Sequence, residues 1–349
     1  MTARAGLPAI DAPCFLCGSA RAEAVWSAPD HGLAVPGIYT VARCLDCGFL
    51  YQKPRVADAF LAECYPGGYP RHVEPSPRSP LKGSPARVAA ARYALSSGLG
   101  YAAFADPGAS LVTRARGRLL LRRLRWDCVP WRDEGRYLDV GCGSGASLAV
   151  AAALGWRTAG IELDGAAAEK ARRFATLLHT GDVLTAPFPP ASFDVVSAFH
   201  VLEHVPDPVA VVRRMLDWLA PGGLAIIEVP NAGGLGAYLF GRSWVGLELP
   251  RHLSHFTPES LGRTIELAGG RVIWCHHRSK PRYYLWSFRN RLRDCGWMRL
   301  SRAVERGAAY AIIKLALELM LPLVSRAGRG EVIRIGAVAS PRRASPAAG

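Results

Sequence analysis

Apolar residues in the second half of this chain fall in short, nearly unbroken runs, and between the runs the spacing changes to that of helices. Tyr137, Leu138 and Val140 make one run before a glycine turn, and an alanine-rich helical pattern follows over 145–155. RTAGIELD (157–164) reads as the next strand, with a helix at 165–175, then LLHTGDV, a proline-rich turn and FDVVSAFHVL. A helix at 207–219, the turn PGG and the strand LAIIEVP (224–230) complete the run. Strands that are apolar on both faces and alternate with helices predict a parallel sheet covered on both sides. Beyond it come a helix at 258–268, the strand RVIWCHH, a long basic helical stretch over 282–326 and a last strand, EVIRIGAVA. The expected fold is therefore α/β, with a doubly wound, mostly parallel sheet of seven strands and a helical insertion before the last of them.

Inside that insertion, Ile312, Leu315, Leu319 and Leu323 recur at helical spacing beside Lys314 and Glu318, four apart. Such a stripe predicts a core-facing helix, a membrane-facing one being the other reading. Lys314, Glu318 and Pro322 break the apolar run 308–324, so it falls short of the about 20 consecutive apolar residues of a membrane span.

The first part of the chain follows other rules. Cys14 and Cys17 in CFLCG, and Cys44 and Cys47 in CLDCG, form two Cys-x-x-Cys-Gly turns. Two such turns can aim four thiolates at one tetrahedral zinc with no open position, which makes the ion structural. Residues 66–85 are rich in Pro, Ser and Gly and read as a linker. ARVAAARYALSSGLGYAAF and LVTRARGRLLLRRLRW read as helices, the second with six arginines between 114 and 125. The implied division is a zinc ribbon at 1–65, a linker and basic helical segment at 66–130, a core at 131–281, the insertion at 282–330, and the last strand and tail at 331–349.

Composition changes this picture at two points. Nine cysteines without a recognisable export signal point to reduced thiols and a cytoplasmic setting. The net charge of +15 is unevenly placed. Residues 135–270 hold 10 basic and 13 acidic side chains, whereas residues 271–349 hold 16 and 4. The excess lies outside the presumed site, which makes nucleic acid the lesser candidate and peripheral contact with an anionic membrane the better one.

The glycine turn is GCGSGA, from Gly141 to Ala146. Read as GxGxxA it fits a dinucleotide fingerprint; read as GxGxG it fits another cofactor. Glu162, ending the second strand, suits a ribose in either case. Asp139, two residues before Gly141, does not. Its carboxylate would repel a pyrophosphate and attract an ammonium group. Asp182, ending the third strand, can accept from an adenine amino group.

LDVGCGSG, GIELD, GDV, FDVVSAFHVLEHVPDP and LAPGGLAIIEVPN, in that order over about 136–231, resemble the class I S-adenosylmethionine-dependent methyltransferases. PRHLSHFTPESL and the pair CFLCG and RCLDCGFLYQKP resemble one bacterial subgroup of that family, with a Rossmann-like core and an N-terminal zinc ribbon. The resemblance implies that Asp139 holds the methionine ammonium, while Gly141, Cys142, Gly143 and Gly145 approach the methionyl and ribose parts. It further implies Glu162 and Leu163 on the ribose side, Asp182 and Val183 at the adenine edge, and a sugar, glycan precursor or related small molecule as acceptor.

Methyl transfer needs an aligned nucleophile and a base. The candidate catalytic residues are the histidines His200, His204, His252 and His255; among them His252 is favoured as base or substrate contact, His200 as a cofactor-side wall, and His204 with Glu203 as a structural pair. In the ubiquinone-pathway O-methyltransferases the related segment carries a metal-binding acid set, and here His200 stands in place of its first acid. Two alternatives stay open. One is a zinc-ribbon ribosomal-RNA methyltransferase, favoured by aromatics within RYYLWSFRNRLR; the other is a zinc-binding interaction protein without turnover.

Overall fold

The computed structural model describes residues 6–66, 79–303 and 308–341. In chain order the strands are β1 (Ala9–Ile10), β2 (Ala22–Pro29), β3 (Ile38–Cys44), β4 (Leu50–Gln52), β5 (Arg55–Val56), β6 (Arg136–Val140), β7 (Arg157–Glu162) and β8 (Leu177–Thr180). They continue with β9 (Phe193–Phe199), β10 (Leu219–Pro230), β11 (Ser254–His255), β12 (Gly270–Arg278) and β13 (Val332–Ala339). The helices are α1 (Pro85–Leu99), α2 (Leu111–Asp127), α3 (Ala146–Ala153), α4 (Gly165–Ala171) and α5 (Pro208–Asp217). After them come α6 (Leu235–Phe240), α7 (Pro258–Leu267), α8 (Pro281–Asp294), α9 (Met298–Ala303) and α10 (Ala308–Arg326). The main sheet has seven strands, as expected, in the order β12-β13-β10-β9-β6-β7-β8. Most of the expected 66–85 linker and the tail after 341 lie outside the described residues.

The chain divides into two units. The parallel-sheet unit comprises residues 71–199 and 214–226. In it β6 pairs in parallel with both β7 and β9, and β7 with β8. Tyr137, Leu138, Val195 and Val196 are wholly buried, which is why these strands read as continuous apolar runs. Asp194, at the start of β9, is buried and binds the Arg136 backbone N–H at 2.9 Å and its guanidinium at 2.6 Å, locking the entry of β6 against β9. Helices α1 and α2 lead into an aromatic cluster of Tyr101, Trp131 and Trp156. There Trp156 Nε1 donates to Tyr101 Oη, which donates in turn to the Val129 carbonyl.

The histidine unit comprises residues 1–70, 200–213 and 227–349. Its small sheet has the order β11-β4-β3-β2, so the cysteine module is completed by a strand taken from PRHLSHF. Val41, Leu50, Val56 and Cys64 share one core with Ala237, Trp244, Leu247 and Leu249. The module at 1–65 is thus built into a larger unit, drawing on apolar residues nearly 200 positions away.

One expectation fails here. The stripe on α10 does not face a core: Ile312, Leu315, Leu319 and Leu323 are all exposed, Leu319 by 73%. Leu321, on the opposite side, is buried. The spacing revealed a face but not what covers it.

Candidate functional site

In the parallel-sheet unit the predicted cofactor residues gather at the carboxyl ends of adjacent parallel strands, the usual place for ligands in such sheets. Gly141, Gly143 and Gly145 have φ of 66°, 54° and 85°, a left-handed run that a side chain would strain. A Cβ on Gly145 would also sit 2.9 Å from the Ala171 Cα, so glycine lets the start of α3 approach α4. Gly143 N–H donates to Glu162 Oε2 at 2.7 Å, and Asp164 N–H donates to Glu162 Oε1 at 2.9 Å. Glu162 therefore ties the turn to the end of β7, and each oxygen retains a second lone pair for a ligand.

Asp139 is buried and accepts from Ser197 Oγ, which lies 2.7 Å from Tyr137 Oη. Burial raises its pKa, the hydrogen bonds hold it back, and the result is about 7. Cys142 is buried beside it with its thiol pushed up by burial and by the two acids. Asp182 is exposed and caps the turn at Val183–Thr185 through a 2.7 Å bond from Leu184 N–H. Leu163 is 73% exposed, an apolar surface beside the acid at the end of β7.

In the histidine unit the four cysteines meet. Cys14 and Cys47 Sγ are 3.5 Å apart, as are Cys17 and Cys44, and all four lie within 4.8 Å of one another. Tetrahedral zinc with about 2.3 Å bonds would set its sulfurs about 3.8 Å apart, so the donor set fits. Both turns fold alike. Gly18 N–H donates to Cys14 O and Gly48 N–H to Cys44 O, each glycine at φ 74°.

The histidines fall into two sets. His200, at φ 58°, has Nδ1 3.1 Å from Glu203 Oε1 and Nε2 3.3 Å from Glu228 Oε1. Burial lowers its pKa, but the two carboxylates outweigh that and push it up to about 10. Glu228 is raised by burial, yet Arg334 and His200 bring it down to about 2. Arg334 reaches Glu228 Oε2 at 2.6 Å. An imidazolium has no lone pair to accept a proton, so His200 is unsuited to be the base.

His252 is different. Its Nδ1 lies 2.9 Å from the Gly246 carbonyl, which can only accept, so Nδ1 carries the proton and Nε2 is the acceptor nitrogen. The His204 ring meets it edge to face, 4.6 Å between centroids. His204 Nδ1 lies 3.2 Å from the Arg251 carbonyl and 3.0 Å from Tyr65 Oη, and burial lowers its pKa. Glu203, His204 and His252 bring ligand atoms within 4.8 Å of one another, and Glu203 Oε2 is buried with no hydrogen-bond partner among the described residues. His255 donates through Nε2 to the Leu247 carbonyl and is lowered by burial to about 4, a neutral core histidine.

Sequence reasoning missed the groups that hold this cluster. Asp30 and Arg251 form a fully buried bidentate pair at 2.7 and 2.8 Å. Gln52 N–H donates to the Leu253 carbonyl, and Tyr51 pairs with Ser254 between β4 and β11. Phe49 packs on Phe256. Glu228, Arg334 and Tyr65 were likewise unforeseen. The one available signal was an arginine beside histidine in an otherwise apolar LPRHL.

A family model described as "Methyltransferase domain" matches residues 85–273. The ubiquinone biosynthesis O-methyltransferase of Albidiferax ferrireducens is 38% identical over 109 residues, covering 28% of this chain and 41% of that protein. That of Nitrosospira multiformis is 34% identical over 148 residues, covering 38% and 61%. The 27-O-demethylrifamycin SV methyltransferase of Amycolatopsis mediterranei is 35% identical over 122 residues, covering 31% and 45%. The chain spans about half the length of the curated relatives it matches.

Proposed function

We propose a specific reaction for this chain, which belongs to the methyltransferase-domain family: transfer of a methyl group from S-adenosylmethionine to an oxygen of a small-molecule acceptor. The observation that carries it is the buried Asp139 beside a left-handed glycine turn that Glu162 fastens to the neighbouring strand. The names of the relatives favour oxygen as the acceptor atom. A sugar or glycan precursor is the acceptor class that the subgroup resemblance supports.

Bound S-adenosylmethionine supplies a methyl group on a positively charged sulfur, open to direct attack. Asp139 would take its ammonium, because a carboxylate raised to about 7 by burial gains most from a cationic partner. Glu162, with Leu163 beside it, would receive ribose hydroxyls on its remaining lone pairs, and Asp182 and Val183 would lie at the adenine edge. His252 Nε2 would accept the acceptor's hydroxyl proton, with the Gly246 carbonyl keeping the ring in the required tautomer. Zinc on Cys14, Cys17, Cys44 and Cys47 would be structural.

One observation favours a second reading of the histidines. The orphaned Glu203 Oε2, with His204 and His252, fits a divalent cation, which would supply Lewis-acid activation of the acceptor oxygen.

Calorimetric titration with S-adenosylmethionine, S-adenosylhomocysteine and NADH tests the main reading. Micromolar binding of the first two, lost in Asp139→Ala, is the expected result; binding of NADH alone would overturn it. Turnover that persists in buffer freed of magnesium and similar cations, with the thiol-bound zinc content unchanged, keeps His252 as base; turnover lost there and restored by added magnesium favours the metal.

A further inference from the structure

The exposed face of α10 has no place in the reaction above. Successive residues of the helix turn by about 100°. On that geometry Ile312, Leu315, Ala316, Leu319, Met320 and Leu323 form one apolar face, and all six are exposed. Lys314 lies on the far side of the helix and Glu318 outside the edge of the face, and the two pair with each other at 3.5 Å, so that face carries no charge. The helix leans on α8 and β12 through its other side, where Leu321 is buried. An exposed apolar face of this extent on a folded protein marks an interaction surface.

Its surroundings identify the partner. Residues 281–326 carry nine basic and three acidic side chains. Arg282, Arg291, Arg299 and Arg326 are exposed, and so are Phe288, Trp297, Met298 and Leu300. No helix among the described residues is long and apolar enough to cross a membrane. Exposed arginines, an interfacial tryptophan and an apolar helical face together suit a helix lying in the headgroup region. A second copy suits them less, since it would bring the surplus of twelve positive charges after residue 270 against an identical surplus.

We propose that helices α8 and α10 dock on an anionic phospholipid surface, with the Ile312–Leu315–Leu319–Leu323 face of α10 inserted among the lipids. The docking stands on its own observations and does not depend on the methyl-transfer reading.

The test uses the full chain with vesicles of phosphatidylcholine, with and without phosphatidylglycerol, followed by cosedimentation and tryptophan emission. Binding is expected to the anionic vesicles alone and to weaken as salt rises. The double variant I312E/L319E should lower partitioning by about tenfold or more, as should R291E/R299E. Both should melt at the wild-type temperature, because the altered side chains are exposed. Absence of binding, equal binding to neutral vesicles, or undiminished binding by I312E/L319E would overturn the proposal. So would a dimer in sedimentation equilibrium that I312E/L319E dissolves, which would assign the face to a second copy.

Discussion

The strand-end region of the parallel-sheet unit and the histidine region of the other unit are assembled in opposite ways. Asp139, the glycine turn, Glu162 and Asp182 follow one another within the span 139–183, each set by the strand it terminates. Their supporting bonds are short in sequence or run between directly paired strands, as between Asp139 and Ser197. The histidine region draws on the whole chain. Tyr65 meets His204 across 139 positions, Glu228 meets Arg334 across 106, and Asp30 meets Arg251 across 221. A locally built region inherits its geometry from the sheet. A region built at long range has only the exactness of its docking.

If that contrast is right, damage to the docking should spare cofactor binding. The largest effect is expected from removing the ion assigned to the cysteines, by a strong chelator or by Cys14→Ser with Cys44→Ser. Structural zinc contributes on the order of 10 kcal/mol or more to small metal-held folds. Hydrogen exchange should then show β2–β4 and β11 unprotected, while S-adenosylmethionine still binds; loss of both together would break the comparison. Next in size, His252→Ala should reduce turnover by about 10²–10⁴-fold with cofactor affinity unchanged, the range of a lost general base. Turnover and affinity can be measured on the same sample.

Arg251→Ala leaves Asp30 as a buried carboxylate without its cation, at a cost of about 3–5 kcal/mol to that unit. Urea unfolding should show the loss in the histidine unit first. The smallest effect is pH dependence at Asp139. Its pKa, raised to about 7, means that protons compete with a cationic ligand near neutrality. Affinity for S-adenosylmethionine should therefore fall as pH drops below about 7, approaching tenfold per unit, and Asp139→Asn should abolish the slope. Without ligand the sign reverses. Folded Asp139 binds its proton more tightly than an unfolded aspartate at about 3.9, so its contribution to stability grows as pH falls from about 7 towards 4.

The contrast also explains what could be read from the chain beforehand. The strand, glycine turn and helix were legible because two periodicities and three glycines act over a few residues. The four thiols were legible because their two turns are identical. His252 could be singled out, but its tautomer depends on the Gly246 carbonyl, which no side-chain pattern reveals. His200 looked like a wall or a base until Glu228 and Glu203 were found on its two nitrogens. Residues on different strands can meet only through a register, and register is not written in either strand alone. The stripe on α10 misled for a related reason: amphipathicity specifies a face, and burial depends on what is brought to it.

The pairing of β4 with β11 sets an order of events during synthesis. Residues 14–56 leave the ribosome before the segment that must dock on them, and the edge of β4 waits until some two hundred more residues have been made. Closing a loop of that length is slow, as it is for any contact so distant in sequence. His252 and its neighbours are therefore set in place late, after the glycine turn has had time to form.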